Sequence, residues 1–365
     1  MNKEIRSLTG VRGIAALWVV LLHFIYVSNF QSDNVYLDAG NEFLMKGNLG
    51  VDLFFMLSAF VLSLAYKNVF NLSLTFKDVK NFYVKRFIRI YPAYIFWLLL
   101  TAFVYKTKLL HVIIVNLLMS QNFFNPDKYT IGYVFWSLCA EWWMYMIFPF
   151  VYYVLNRFLS RNLLYISSLF IISIVGLYLL SSIKIFYIGS NGFEFIEYED
   201  RFSVFLGINS VIRCLLCYFI GIALFFISRD ERIKMKIMLG PKSVYVICGV
   251  VFSLSLFRQT DIYIIICLAL LILSLYENRE FDNFFSSKIV YFLGLISYSL
   301  YLIHSTLRFV ITIIVMKIFN VPVTLADFPS IILSLVLLIP ISYISYLYIE
   351  KKPGTWLKSK VFVMN

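Results

Sequence analysis

Two polar side chains in the first apolar segment have a spacing that suits proton transfer next to a bound anion. Arg12 and His23 are eleven residues apart in an otherwise apolar run. Eleven residues make about three turns of α-helix, so both side chains share a face and lie about 16 Å apart along the axis. The pair predicts a cationic mouth above a deep imidazole, as a long anionic thioester would need. The alternative is a flanking arginine and a packing histidine.

A second polar stripe lies on the fourth apolar segment. Ser137, Glu141 and Tyr145 follow one another at four-residue intervals, so they occupy one face of a helix. A carboxylate at that depth could orient an imidazole. It could instead form a purely structural ion pair with Arg213 or Arg308.

Two further clusters complete the candidate chemistry. Ser297, Tyr301, His304 and Arg308 form a stripe on the ninth apolar segment, and we expect it to line the same cavity. The segment 67–90 is rich in Lys and Arg, which suits an anionic ligand or, alternatively, anionic lipid headgroups.

The elements that hold these residues are predicted to be membrane-spanning helices. The 365-residue chain is 61% apolar and only 14% charged, with a mean hydropathy of +0.83, which excludes a water-soluble domain. Its long apolar runs predict an all-α, polytopic integral membrane protein with about ten transmembrane helices. The runs lie near 11–30, 49–66, 91–105, 133–155, 163–183, 203–227, 243–257, 262–276, 289–316 and 329–349. The apolar segment 109–119 is too short to span a bilayer and is predicted to be re-entrant or interfacial.

The basic residues behind the net charge of +12 are distributed unevenly between the two sides of the predicted membrane domain. With ten spans and the N-terminus inside, 22 of the 32 Lys and Arg residues fall on the inner side and 8 on the outer side. This asymmetry predicts cytoplasmic termini and argues against a nucleic-acid partner. The five cysteines all lie within apolar runs, so neither a disulfide framework nor a metal site is expected.

Five sequence blocks follow one another along the chain. They are Arg12-x10-His23, Gly50–Phe60, Lys85–Pro92, Trp136-Ser137-Leu138 with Glu141, Tyr145 and Pro149, and Ile296–His304. With these blocks in this order, the chain resembles the acyltransferase family 3 membrane proteins, which O-acylate bacterial surface polysaccharides. One departure is the ending Glu350-Lys351-Lys352-Pro353, which has one residue more than the usual Glu-x-Pro and puts a role for Glu350 in doubt.

The resemblance implies an O-acyltransferase of the bacterial inner membrane. It would move acetyl from cytoplasmic acetyl-CoA to a sugar hydroxyl of O-antigen (in lipopolysaccharide), capsule, exopolysaccharide or a lipid-linked oligosaccharide. His23 would be the general base or an acyl carrier, oriented by Glu141 or, failing that, Asp52. Arg12, Arg86 and Arg89 would bind the phosphates of the donor. The residues expected on the acceptor side or in the cavity are Asp52, Ser58, Trp136, Ser137, Tyr145, Tyr301, His304 and Arg308.

The resemblance also suggests a domain organisation. Residues 1–350 would form the acyltransferase domain and 351–365 a short basic cytoplasmic tail, as in stand-alone members without a fused hydrolase-like domain. A transporter or flippase of a glycan or lipid-linked sugar is the alternative, because polar stripes on several helices also describe a substrate pathway.

Overall fold

The protein is described from a computed structural model. The structure describes residues 4–26, 35–70, 73–159, 162–181, 185–189, 192–196, 207–230, 240–281 and 283–362.

Long helices dominate these residues. They are α1 (Arg6–Tyr26), α2 (Val35–Met45), α3 (Leu49–Tyr66), α4 (Phe76–Val104), α5 (Leu110–Leu117), α6 (Pro126–Tyr129), α7 (Phe135–Leu159), α8 (Leu163–Leu180), α9 (Gly207–Ile227), α10 (Ser243–Ser255), α11 (Asp261–Glu277), α12 (Lys288–Phe319), α13 (Val323–Ser345) and α14 (Lys352–Phe362). A π-helical turn, Tyr346–Lys351, joins α13 to α14. The two strands β1 (Ile185–Gly189) and β2 (Gly192–Ile196) pair antiparallel.

The all-α fold class is confirmed, with this hairpin as the described exception. Within the described residues, eight helices are long and apolar enough to cross a membrane. The other two predicted spans, 243–257 and 262–276, coincide with the shorter helices α10 and α11. The eight-residue helix α5 lies within the segment 109–119, which was predicted to be too short to span. Residues 27–30 and 203–206 of two predicted spans lie outside the described part of the chain.

Local capping explains where two of the long helices begin or end. Thr75 precedes α4 in an extended conformation, and its side chain accepts a hydrogen bond from the Asp78 amide. Asn320 follows α12 in the left-handed conformation that commonly terminates helices, with φ of 50°.

Helices α1 and α12 pack closely against each other through glycines. A Cβ atom added at Gly294 would lie 2.0 Å from the backbone oxygen of Thr9, and one added at Gly13 would lie 2.5 Å from the Gly294 nitrogen. Only glycine permits such an approach, because any side chain would push the two backbones apart. The contact sets the register between the helix that holds His23 and the helix that holds His304.

Candidate active site

Helices α1, α3, α4, α7 and α12 surround one cavity of about 380 Å³. Eight of the predicted site residues line it. They are Arg12, Ser58, Arg86, Arg89, Ser137, Glu141, Tyr145 and Tyr301. Each of the three polar stripes predicted from the sequence therefore contributes at least one side chain to the same cavity.

The three arginines of the cavity differ in their partners. Arg89 donates from Nη1 to the Glu350 carboxylate at 2.7 Å. The Nε atom of Arg86 is buried without a hydrogen-bond partner in the described residues, and its guanidinium lies 5.7 Å from the ring centre of Tyr145. Arg12 makes no hydrogen bond or salt bridge to another described residue. Two guanidinium groups are therefore left to bind an anion.

Glu350, whose role the sequence left in doubt, is the acceptor that holds Arg89. It is 6% exposed, and its second carboxylate oxygen accepts from the Ser299 hydroxyl at 2.9 Å. It lies in the π-helical turn, which contains one residue more per turn than an α-helix and so accommodates an extra residue. The signal available in the sequence was an acidic residue between an apolar run and two lysines.

The cavity wall also holds a chain of hydrogen-bonded hydroxyl groups that leads to Glu141. The Tyr145 hydroxyl donates to the Glu141 carboxylate at 2.6 Å. Because its single proton is used there, Ser58 donates to Tyr145 at 3.1 Å, and Tyr218 donates to Ser58 at 3.0 Å. The chain stabilises a negative charge on Glu141. Glu141 thus has a partner on its own helix rather than on α1.

Tyr301 forms the end of the cavity nearest the histidines. Its hydroxyl bonds to Ser137 at 2.7 Å and lies 3.1 Å from the Val134 carbonyl oxygen. Its ring lies edge-on to the ring of His304, with the centres 5.7 Å apart. Neither His23 nor His304 lines the cavity, whereas Tyr301, which contacts His304, does.

His23 and His304 are hydrogen-bonded to each other. The Nδ1 atom of His23 lies 2.9 Å from Nε2 of His304, and the rings stack 5.0 Å apart at an interplanar angle of 19°. The Nδ1 atom of His304 lies 2.7 Å from the backbone oxygen of Tyr301. The ring of Tyr133 lies 4.9 Å from that of His23.

This arrangement corrects the expected partner of His23. Glu141 accepts from Tyr145, whereas Asp52 accepts two hydrogen bonds from Arg213, at 2.7 Å and 2.5 Å. Glu141 and Asp52 have these partners instead of His23 because their side chains face Tyr145 and α9, respectively. In the structure a second imidazole, rather than a carboxylate, contacts the first.

Four of the residues expected in the cavity lie outside its lining. Arg308 forms an ion pair with Asp327 of α13 and donates to Thr312. Trp136 is buried and packs edge-on against Phe55, with the ring centres 6.2 Å apart. His304 belongs to the histidine pair, and Asp52 is likewise absent from the lining.

Comparison with known proteins gives a consistent family. Residues 5–347 match the family model described as the acyltransferase domain of acyltransferase 3. The chain is 26% identical over 328 residues to O-acetyltransferase OatA of Staphylococcus aureus (strain NCTC 8325 / PS 47), an alignment that covers 82% of this chain and 49% of OatA. It is 28% identical over 169 residues to acyltransferase MdmB of Streptomyces mycarofaciens, covering 43% of this chain and 41% of MdmB. The chain spans about half the length of the curated relatives it matches. No solved structure matches it.

Proposed function

Because the chain belongs to acyltransferase family 3, a family of multi-pass membrane proteins, we propose that it is an acetyl-CoA-dependent O-acyltransferase of bacterial surface polysaccharides. The name of its relative OatA, O-acetyltransferase, supports acetyl as the acyl group. The excess of positive charge on one side supports an inner-membrane protein with both termini in the cytoplasm.

The observation that supports the donor most directly is the basic end of the cavity. Three arginines converge there, and the buried Nε of Arg86 has no described partner. A buried donor without an acceptor costs about 1–3 kcal/mol, which a bound phosphate oxygen would recover. Coenzyme A has several phosphates at one end and its thioester at the other. Its headgroup would occupy the arginine end and its acyl group would point toward Tyr301.

The transfer itself needs a base near the thioester. His23 would remove the proton of the acceptor hydroxyl while the hydroxyl oxygen attacks the thioester carbonyl. The C–O bond forms, the C–S bond breaks, and the leaving sulfur receives the proton back from His23. An acyl-His23 intermediate is the two-step version of the same transfer. In either version the ring of Tyr301 would have to shift for the thioester to reach His23, because Tyr301 lines the cavity and contacts His304.

The test uses the purified chain in liposomes with radiolabelled acetyl-CoA and a panel of surface-polysaccharide acceptors. We expect free coenzyme thiol and labelled, alkali-sensitive acetyl on the glycan, and no turnover by His23→Ala. In cells, mass spectrometry should find fewer acetylated sugars when the gene is deleted. Movement of a glycan across the bilayer without acetyl transfer would instead favour the transporter alternative.

A further inference from the structure

We propose that His304 is a positioning residue that holds His23 in one tautomer, with the proton on Nδ1 and the basic lone pair on Nε2. The use of that lone pair as a base rests on the proposed function. The tautomer follows from hydrogen-bond geometry alone and can be tested without any substrate.

The direction of each hydrogen bond follows from the groups involved. The backbone oxygen of Tyr301 has no hydrogen, so Nδ1 of His304, at 2.7 Å, must donate to it. A neutral imidazole carries a single N–H group, so Nε2 of His304 is an acceptor. The Nδ1 atom of His23, 2.9 Å from this acceptor, must therefore be the donor. The proton of neutral His23 is then on Nδ1, and its Nε2 is bare.

Both rings have to be neutral for this argument, and their surroundings favour that. His304 is fully buried, and the described ring contacts of the pair are to Phe24, Tyr133 and Tyr301, none of which carries a charge. An imidazolium there would lack a counter-ion, which is costly away from water.

The charged groups on the neighbouring elements have partners of their own. On α12, Arg308 is one turn beyond His304 and is paired with Asp327. On α3, Asp52 is paired with Arg213 of α9. No described carboxylate therefore takes the place that His304 occupies beside His23.

The register between α1 and α12 brings the two rings together. Gly13 meets Gly294, and ten residues further along each helix His23 meets His304. Two helices that run in the same direction rise by the same amount per residue, about 1.5 Å, so equal offsets keep the pairs level. The pair is thus built into the tightest helix contact rather than resting on a loop.

The chemical consequence is that a neutral imidazole, rather than a carboxylate, orients the ring of His23. When Nε2 of His23 accepts a hydroxyl proton, the resulting imidazolium keeps donating from Nδ1 to the neutral Nε2 of His304. That hydrogen bond becomes charge-assisted, and so stronger, as the positive charge develops. His304 neither gains nor loses a proton, and it contacts His23 rather than the reacting atoms.

The direct test is solid-state NMR of the full chain in lipid with ¹⁵N-labelled histidine. The sequence has three histidines, and His111→Gln removes the signals of the exposed one on α5. We expect both remaining residues to have a protonated Nδ1 and a bare Nε2. A proton on Nε2 of His23 would overturn the proposal, as would a doubly protonated His304.

Two substitutions separate positioning from folding. In His304→Leu the acceptor for the Nδ1–H group is lost, so a fraction of His23 should carry its proton on Nε2 instead. In His304→Gln an amide oxygen can accept near the position of Nε2, so the tautomer should be retained. If His23 kept the same tautomer in His304→Leu, His304 would not be what holds it.

Activity gives a second readout. We expect kcat of His304→Leu to fall about 10- to 100-fold, as when a group that orients an imidazole is removed, with KM for acetyl-CoA unchanged and partial recovery in His304→Gln. Equal kcat in the two variants would contradict positioning. If the wild-type chain transfers no acetyl group, the proposed function fails, whereas the NMR result still decides the tautomer.

Discussion

At the scale of single residues, α1 holds two polar side chains in different surroundings. Arg12 lines the cavity, and His23 forms a hydrogen bond with His304 outside the lining. Under the proposed function, substitutions should separate donor binding from chemistry, because eleven residues of helix keep the two side chains about 16 Å apart.

The first prediction follows from that separation. His23→Ala should reduce turnover by about 10²–10⁴-fold, the usual contribution of general base catalysis, while donor binding is retained. Arg12→Ala should raise KM for acetyl-CoA and keep some turnover at high donor concentration. Rates of coenzyme release across donor concentrations measure both. Were His23→Ala to lose donor binding instead, the imidazole would belong to the binding site.

The second prediction concerns Arg86. Its buried Nε lacks a described partner, so Arg86→Ala should weaken donor binding by about 1.5–3 kcal/mol, the value of a hydrogen bond to a charged group. Equilibrium binding of labelled acetyl-CoA measures the loss. Lys80→Ala is the matched control, because Lys80 is an exposed cation on the same helix outside the cavity lining. If both substitutions weakened donor binding equally, Arg86 would contribute only its positive charge and not a specific hydrogen bond.

At the scale of elements, polar pairs and glycines fix which helices meet. Asp52 of α3 and Arg213 of α9 are 0% and 1% exposed, so neither charge has access to water. On the same two helices, a Cβ at Gly221 would lie 2.2 Å from the backbone oxygen of Met56. The ion pair is therefore a structural contact between helices, and not the orienting group of a catalytic histidine.

The third prediction tests that assignment. Asp52→Ala should lower the free energy of unfolding by about 3–5 kcal/mol, because it removes the carboxylate that forms an ion pair with a buried guanidinium. Asp52→Ala combined with Arg213→Ala should cost less than the sum of the two single changes. Thermal unfolding in detergent measures all three variants. Additive losses would mean that the two side chains are not coupled.

The fourth prediction concerns the contact between α1 and α12. Gly294→Ala should cost about 1–3 kcal/mol through overpacking, and it should also reduce acetyl transfer because the histidine rings move apart. Gly249→Ala is the control, since a Cβ on that helical glycine meets nothing within 4 Å. Melting curves and turnover of both variants give the comparison. Full activity in Gly294→Ala would show that the register tolerates a wider spacing.

At the scale of the whole molecule, the distribution of charge sets the orientation in the membrane. With 22 of 32 basic residues on one side of a ten-span arrangement, that side should be the cytoplasm. Arg12 lies in the first third of α1, and Arg86 and Arg89 lie in the first half of α4, so under the proposed function we expect the donor to enter the cavity from that side.

The fifth prediction is the resulting topology. A reporter fused after Asn365 should be cytoplasmic, and one inserted in 190–200 should be extracytoplasmic, because an even number of spans and a cytoplasmic N-terminus place them so. Alkaline phosphatase fusions report an extracytoplasmic position, and fluorescent-protein fusions report a cytoplasmic one. Both reporters on one side would contradict the ten-span arrangement.

The sequence by itself determined the helices and the polar face of each. A bilayer requires about 20 apolar residues per span, so the apolar runs alone located helices. In the described residues eight of them are long and apolar enough to cross a membrane, whereas α10 and α11 are shorter than the ten-span prediction required. The four-residue spacing of Ser137, Glu141 and Tyr145 placed them on one cavity wall, because helical periodicity is local.

Only the tertiary structure decided which of these polar groups are partners. His23 pairs with His304, 281 residues away, and Asp52 pairs with Arg213 rather than with a histidine. Periodicity states which face of its own helix a side chain occupies, and it is silent about which helix that face meets. Pairing depends on how closely the helices approach and in what register, and here backbone contacts at Gly13 and Gly294 set both.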